Sequence, residues 1–274
     1  MSLSLSPSPP PPLGAQIPTV ALFGLQFQPL ALDAAVEAIA AAAQQRERAL
    51  VITPNVDHIV TVQQRPEVRQ IYRSARFVFA DGMPVIWASR FIRGKALPGR
   101  VTGADLLPAL CARAAERGLS VAFIGGLPGI AQRAAEVMRA RHPTLKVVGV
   151  HCPPFGFESD PRQTQDIIDL CRAARPDLLF FGVGAPKQEI WSHTHLDQLD
   201  VGVVLCIGAA LDFAAGTLQR APLWMQRSGL EWLWRMAQDP RRLLKRYLVR
   251  DTAFLGIAAR EILAGLRPTS PREP

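Results

Sequence analysis

Six short, continuously apolar runs recur along the chain, with helically spaced stretches between them. The runs are Leu50–Thr53, Phe77–Ala80, Val121–Ile124, Lys146–Val150, Leu178–Gly182 and Val203–Ile207. The helical stretches are Pro66–Ser74, Pro84–Phe91, Ala104–Arg117, Gly129–Arg141, Gln163–Ala174 and Pro186–His195. A strand that is apolar throughout has no side suited to water, so it belongs in a sheet covered on both faces. Alternation with helices makes that sheet mostly parallel, which is the α/β, Rossmann-like class. Ahead of it, Val20–Phe23 reads as a short strand punctuated by Gly24, with Phe27 completing a hairpin, and Leu30–Gln45 reads as an Ala-rich helix. The chain's 274 residues suffice for one large α/β domain with an appendage, and no internal repeat divides it.

The two ends read differently from the middle. Met1–Pro12 is rich in Ser and Pro, without the basic and apolar regions of a signal peptide, so residues 1–18 are expected to be a disordered tail. Residues 19–220 form the expected α/β core. Past Pro222 strands cease, and residues 221–266 read as a helical appendage broken around Asp239-Pro240. The longest apolar candidate, Val201–Gly216, is interrupted by Asp212 and is too short to cross a bilayer. The four cysteines are scattered without a CxxC pair, so neither metal-ligand spacing nor a disulfide framework is expected, and the compartment reads as cytoplasmic.

Charge concentrates at the C-terminal end. The net charge is +8, and Arg220–Pro274 alone holds eleven basic and five acidic residues. Such a block suits nucleic acid, a phosphorylated substrate or an anionic membrane. Trp224, Trp232 and Trp234 stand among these cations. On a helix, Arg241, Arg242, Lys245 and Arg246 would share one side and Leu243, Leu244, Tyr247 and Leu248 the other. A basic face opposed to an apolar one, with tryptophans nearby, suits a membrane interface. The plainer reading is a helical hairpin packed on the core with a solvated basic face.

In open α/β sheets ligands bind beyond the carboxyl ends of the strands. There the chain places Thr53-Pro54-Asn55, Asp81-Gly82, Gly125-Gly126-Leu127-Pro128-Gly129, Gly182 to Glu189, and Gly208 to Asp212. The Gly125-Gly126 turn opens a helix, so it is either a phosphate cradle or a tight turn packed on the sheet. Asp81 is either a general base for an attacking hydroxyl or the N-cap of the helix through Pro84. Thr53 and Asn55 are pocket residues or turn and cap residues around Pro54. Gln188 either bonds a sugar or faces water, and Asp212 either accepts from a base N–H or caps a turn.

Several chemistries lack their motif. Neither G-x-G-x-x-G nor the phosphate-binding G-x-x-x-x-G-K-[ST] occurs, nor the G-x-S-x-G of hydrolases. No D-x-D calls for a metal-chelated nucleotide sugar, and the five histidines form no metal-like set. The competing classes are a non-catalytic Rossmann-like nucleotide-binding protein docked at the membrane, a nicotinamide-dependent oxidoreductase and, more remotely, a nucleic-acid binder.

One family carries these pieces in this order. Thr53-Pro54-Asn55, Ala80-Asp81-Gly82-Met83 and Arg100-Val101-Thr102-Gly103 resemble its N-terminal motifs. Phe123-Ile124-Gly125-Gly126, Gly182 to Glu189 and Gly208 to Gly216 resemble its central ones. Arg220-Ala221-Pro222, Gly229 to Arg235 and Asp239-Pro240-Arg241-Arg242 resemble its C-terminal signature. From about Val20 to Arg250 the chain resembles the WecG/TagA/CpsF glycosyltransferases, the N-acetylmannosaminyltransferase-like enzymes of bacterial cell-surface polysaccharide synthesis.

The resemblance implies an inverting, metal-independent transferase that needs no cofactor. It implies a UDP-sugar donor and an undecaprenyl-diphosphate-linked sugar acceptor, met at the cytoplasmic face of the plasma membrane by a peripheral protein, with no nucleic-acid partner. The sugar (N-acetylmannosamine, its uronic acid or glucose) and a homo-oligomeric state stay open. Carried over by motif, Asp81 becomes the base. Thr53, Asn55, Arg100, Gly125, Gly126 and Gln188 become donor or acceptor pocket, and Asp212 a contact to uracil. Arg235, Arg242 and Lys245 become the groups that meet diphosphate. Lys245 departs from an arginine, keeping the charge without the bidentate fork.

Overall fold

The computed structural model describes residues 17–92, 95–238, 240 and 252–266. Its centre is a six-stranded sheet in the order β4-β3-β8-β7-β5-β6, parallel at every junction. The strands are β3 (Ala49–Ile52), β4 (Phe77–Val78), β5 (Ser120–Gly125), β6 (Lys146–His151), β7 (Leu178–Gly182) and β8 (Val203–Cys206). β3, β7 and β8 are buried at every residue, which accounts for their unbroken apolar sequence. Successive side chains on a strand point to opposite faces. Leu50, Ile52, Leu179, Phe181 and Val204 therefore join the core on one face, while Val51, Leu178, Phe180, Val203 and Leu205 join the core on the other.

The first face is covered by α2 (Val56–Gln64), α3 (Pro66–Ser74), α4 (Met83–Arg90), α7 (Pro161–Ala174) and α8 (Lys187–His195). The second is covered by α1 (Leu32–Gln44), α5 (Gly103–Arg117), α6 (Ile130–Arg141) and the short α9 (Ala210–Ala215). The α/β, Rossmann-like architecture expected from the sequence is thus the one observed. Two helices were not expected, α2 and α9. The ladder of β4 is also shorter than the run Phe77–Ala80, because the chain turns away after Val78 to reach β3 through single bonds. Those bonds run from Phe79 N to Ile52 O at 3.0 Å and from Asp81 N to Pro54 O at 2.9 Å.

Past the sheet the described residues form α10 (Leu223–Arg227), α11 (Glu231–Gln238) and a C-terminal helix, Ala253–Leu266. Phe254, Ile257 and Ala258 of that last helix enter the first core, and Phe254 meets Phe23 with ring centroids 5.5 Å apart. Phe23 follows β1 (Val20–Leu22), which pairs antiparallel with β2 (Leu25–Phe27). Just beyond the hairpin, Gln28 covers the open edge of β4. Its Oε1 accepts from Val78 N at 2.6 Å and its N–H donates to Val78 O at 3.0 Å. At the amino end of the sheet Arg46 reaches Asp177 at 3.1 Å and Asp200 at 2.7 Å. Among the described residues no helix is long and apolar enough to cross a membrane.

Candidate active site

Four neighbouring strands, β4, β3, β8 and β7, end at one cavity of about 530 Å³. β3 delivers Thr53 and Asn55, β4 delivers Asp81, and the turns after β7 and β8 deliver Gly184, Gln188 and Gly208. Arg100 and Thr102 enter ahead of α5, and Glu231, Trp232 and Arg235 form a wall from α11. The cavity therefore lies where a parallel sheet offers loop ends and helix starts rather than strand edges.

Asp81 does not cap the helix that follows it. The N-cap of α4 is Gly82, whose φ of +102° suits a glycine, so the carboxylate is free to face the cavity. Its place is fixed by main chain: Asp81 N donates to Pro54 O, and Val101 N donates to Ala80 O at 2.8 Å. Burial of the charged form pushes its pKa up to about 7. The negative charge of Glu231 adds to this, the guanidiniums of Arg100 and Arg235 oppose it, and Asp105 adds a smaller push upward.

Around Asp81 the charges form a connected set. Arg100 pairs with Glu231 and donates to Gln226 Oε1 at 2.6 Å. Arg220 reaches Asp105 at 3.1 Å and Glu231 at 3.1 Å, and donates to the same Gln226 oxygen at 3.0 Å. Asp105 is held by Thr102, the N-cap of α5, whose hydroxyl donates to Asp105 Oδ2 at 2.8 Å and accepts from Asp105 N at 3.1 Å. Arg235 differs from its neighbours. Its guanidinium stands 5.9 Å from the Phe213 ring centroid, and among the described residues it forms no ion pair. It is the cation best placed to meet an incoming anion.

The family model for the glycosyl transferase WecG/TagA/CpsF family matches residues 20–268. The chain belongs to that family. Within this WecG/TagA/CpsF transferase the cavity gathers Thr53, Asn55, Asp81, Arg100, Gln188 and Arg235, six of the positions the sequence singled out. Asn55 also caps α2, its Oδ1 accepting from His58 N at 3.3 Å, so the residue that caps the helix also lines the cavity.

Three other positions of the transferase do not line the cavity. Gly125 packs on the sheet, where a Cβ would lie 2.2 Å from Gly182 O, and the Gly126 N–H already donates to Gly182 O at 3.1 Å. These are the marks of the tight turn. Asp212 sits in the first turn of α9, whose N-cap is Ala209, and its carbonyl accepts from Thr217 and Leu218. Arg242 and Lys245 lie outside the described residues. Asp57 and His58 from the first turn of α2, together with Thr102, Phe213 and Glu231, line the cavity without having been singled out for it.

Proposed function

We propose that the protein is an inverting, metal-independent glycosyltransferase that moves a sugar from a UDP-sugar to an undecaprenyl-diphosphate-linked acceptor in cell-surface polysaccharide synthesis. Its place is the cytoplasmic face of the plasma membrane, as a peripheral protein. The sugar is N-acetylmannosamine, its uronic acid or glucose. The observation that carries this reading is the pairing, in one cavity, of Asp81 with its pKa near 7 and the guanidiniums of Arg100 and Arg235.

In the proposed reaction the acceptor hydroxyl loses its proton to the Asp81 carboxylate while its oxygen bonds to the anomeric carbon of the donor. The bond from that carbon to the β-phosphate oxygen of UDP breaks, and the configuration inverts. Negative charge grows on the departing diphosphate, and fixed cations in a partly desolvated cavity stabilise it. Arg235 supplies one such charge directly. Arg100 supplies another by exchanging part of its contact with Glu231 for phosphate oxygens. Two arginines do here the electrostatic work that other transferases assign to a divalent ion.

The test is UDP release by the purified protein, given a short-chain prenyl-diphosphate sugar and a panel of UDP-sugars, with and without a chelator. Acceptor-dependent release from one donor, insensitive to chelator and lost in Asp81→Asn, is expected. Measurable UDP binding without release from any donor, across a range of acceptors, would instead leave a nucleotide-binding protein.

A further inference from the structure

Gln188 lines the cavity, yet its amide already has partners. Its Oε1 accepts from Gly184 N at 3.3 Å and from Gly208 N at 3.0 Å, while its Nε2 donates to Glu189 Oε1 at 2.8 Å. Gly184 follows β7 and Gly208 follows β8, which are neighbours in the sheet. One side-chain oxygen thus bridges two turns on the cavity wall. An amide makes this bridge in only one of its two orientations, because the flipped group would turn its NH2 onto two N–H donors. Glu189 selects the working orientation by offering an acceptor on the opposite side.

Glu189 is an unusual residue to find there. It is fully buried, does not line the cavity and forms no ion pair among the described residues. Its Oε2 neighbours the hydroxyl of the equally buried Tyr72, which favours the ionised carboxylate without meeting full hydrogen-bond geometry. Burying a carboxyl without a cation costs stability, and an apolar side chain of similar volume would pack this place at lower cost. Residues that break a local rule in this way are expected where function demands them.

We infer that Glu189 is a positioning residue for the transfer reaction: it fixes the Gln188 amide and thereby holds the Gly184 and Gly208 turns at the spacing the substrate cavity requires. The role rests on the transferase reading of that cavity. It also assigns Gln188 to shaping the wall, leaving one of its amide hydrogens for a ligand.

Two variants of the full chain test it. Glu189→Met removes the acceptor and keeps the volume. Its thermal midpoint should be no lower than that of the native protein, while kcat/KM falls about tenfold to a hundredfold, the range expected of a small misplacement at a reacting centre. Amide hydrogen exchange should quicken in the peptides holding Gly184 and Gly208. Glu189→Gln retains an acceptor oxygen towards Gln188 and turns its NH2 to Tyr72, so activity should stay within about threefold of native. The inference is overturned if Glu189→Met keeps native activity. It is overturned equally if midpoint and activity fall together while both turns stay protected. Exchange needs no turnover, so the two readings separate. Loosened turns in a protein inert towards every donor and acceptor would sink the transferase reading alone, and a working transferase with turns unchanged in Glu189→Met would sink the clamp alone.

Discussion

A base that must take a proton near neutrality works best when its pKa lies near the working pH. Asp81, at about 7, meets that condition through burial and the nearby Glu231 carboxylate. With Asp81 as the proposed base the ionised form is the active one, so kcat/KM should rise as pH increases through about 7 and then level off. Glu231→Gln removes a like charge, so the rising limb should move to lower pH in a pH–rate profile. Stability should respond in the opposite sense. An aspartate whose folded pKa exceeds its unfolded value destabilises the fold progressively as pH rises between the two, and fully above the higher one. Asp81→Asn should therefore raise the thermal midpoint at pH 8, and that gain should shrink as pH falls and vanish below about pH 3, where both states bind the proton. A loss of stability at pH 8 would show that the carboxylate is structurally required.

At the scale of elements, α11 matters through what it brings to the sheet ends. Glu231 joins Arg100 and Arg220, and Arg235 faces the cavity from one turn further along. Arg220→Gln removes the contacts to Asp105 and Glu231 and should cost about 1.5–3 kcal/mol in denaturant unfolding, the range for hydrogen bonds to charged groups. Arg235→Gln breaks no ion pair among the described residues, so it should leave stability near native and raise KM for the donor while lowering kcat. The sequence foretold the elements better than their meeting points. β3, β7 and β8 announce themselves because burial on both faces demands apolar side chains throughout. α2 does not, since Val56, Ile59, Val60, Thr61 and Val62 are β-branched and its start is marked only by Asn55. With α2 unseen, Asp57 and His58 could not be placed at the cavity. Glu231 lay hidden for another reason: its partner Arg100 is distant in sequence and Arg220 lies across the turn between core and appendage, and neither separation is a spacing that sequence can read. Gly125 and Gly126 left two readings open in the sequence because a close-packed turn and a phosphate cradle call for the same residue.

For the whole molecule, the cationic C-terminal block and its tryptophans, of which Trp232 lines the cavity, lead us to expect binding to anionic vesicles that weakens as salt rises. Cosedimentation with neutral and anionic vesicles at two ionic strengths measures it, and equal binding to both would remove the charge argument. Truncation after Pro222 should abolish transfer by removing Glu231 and Arg235. Because Phe254, Ile257 and Ala258 belong to the core, it should also lower the thermal midpoint while circular dichroism retains the α/β signal. The anchoring of Asp81 has one more consequence. Bonds between main-chain groups hold its backbone in place, from Asp81 N to Pro54 O and from Val101 N to Ala80 O, and such bonds are indifferent to the side chains around them. The wall opposite, on α11, is built from side chains. Sequence drift or deliberate redesign can therefore rewrite what the cavity selects, helix residue by helix residue, while the backbone that carries the proposed base stays where it is.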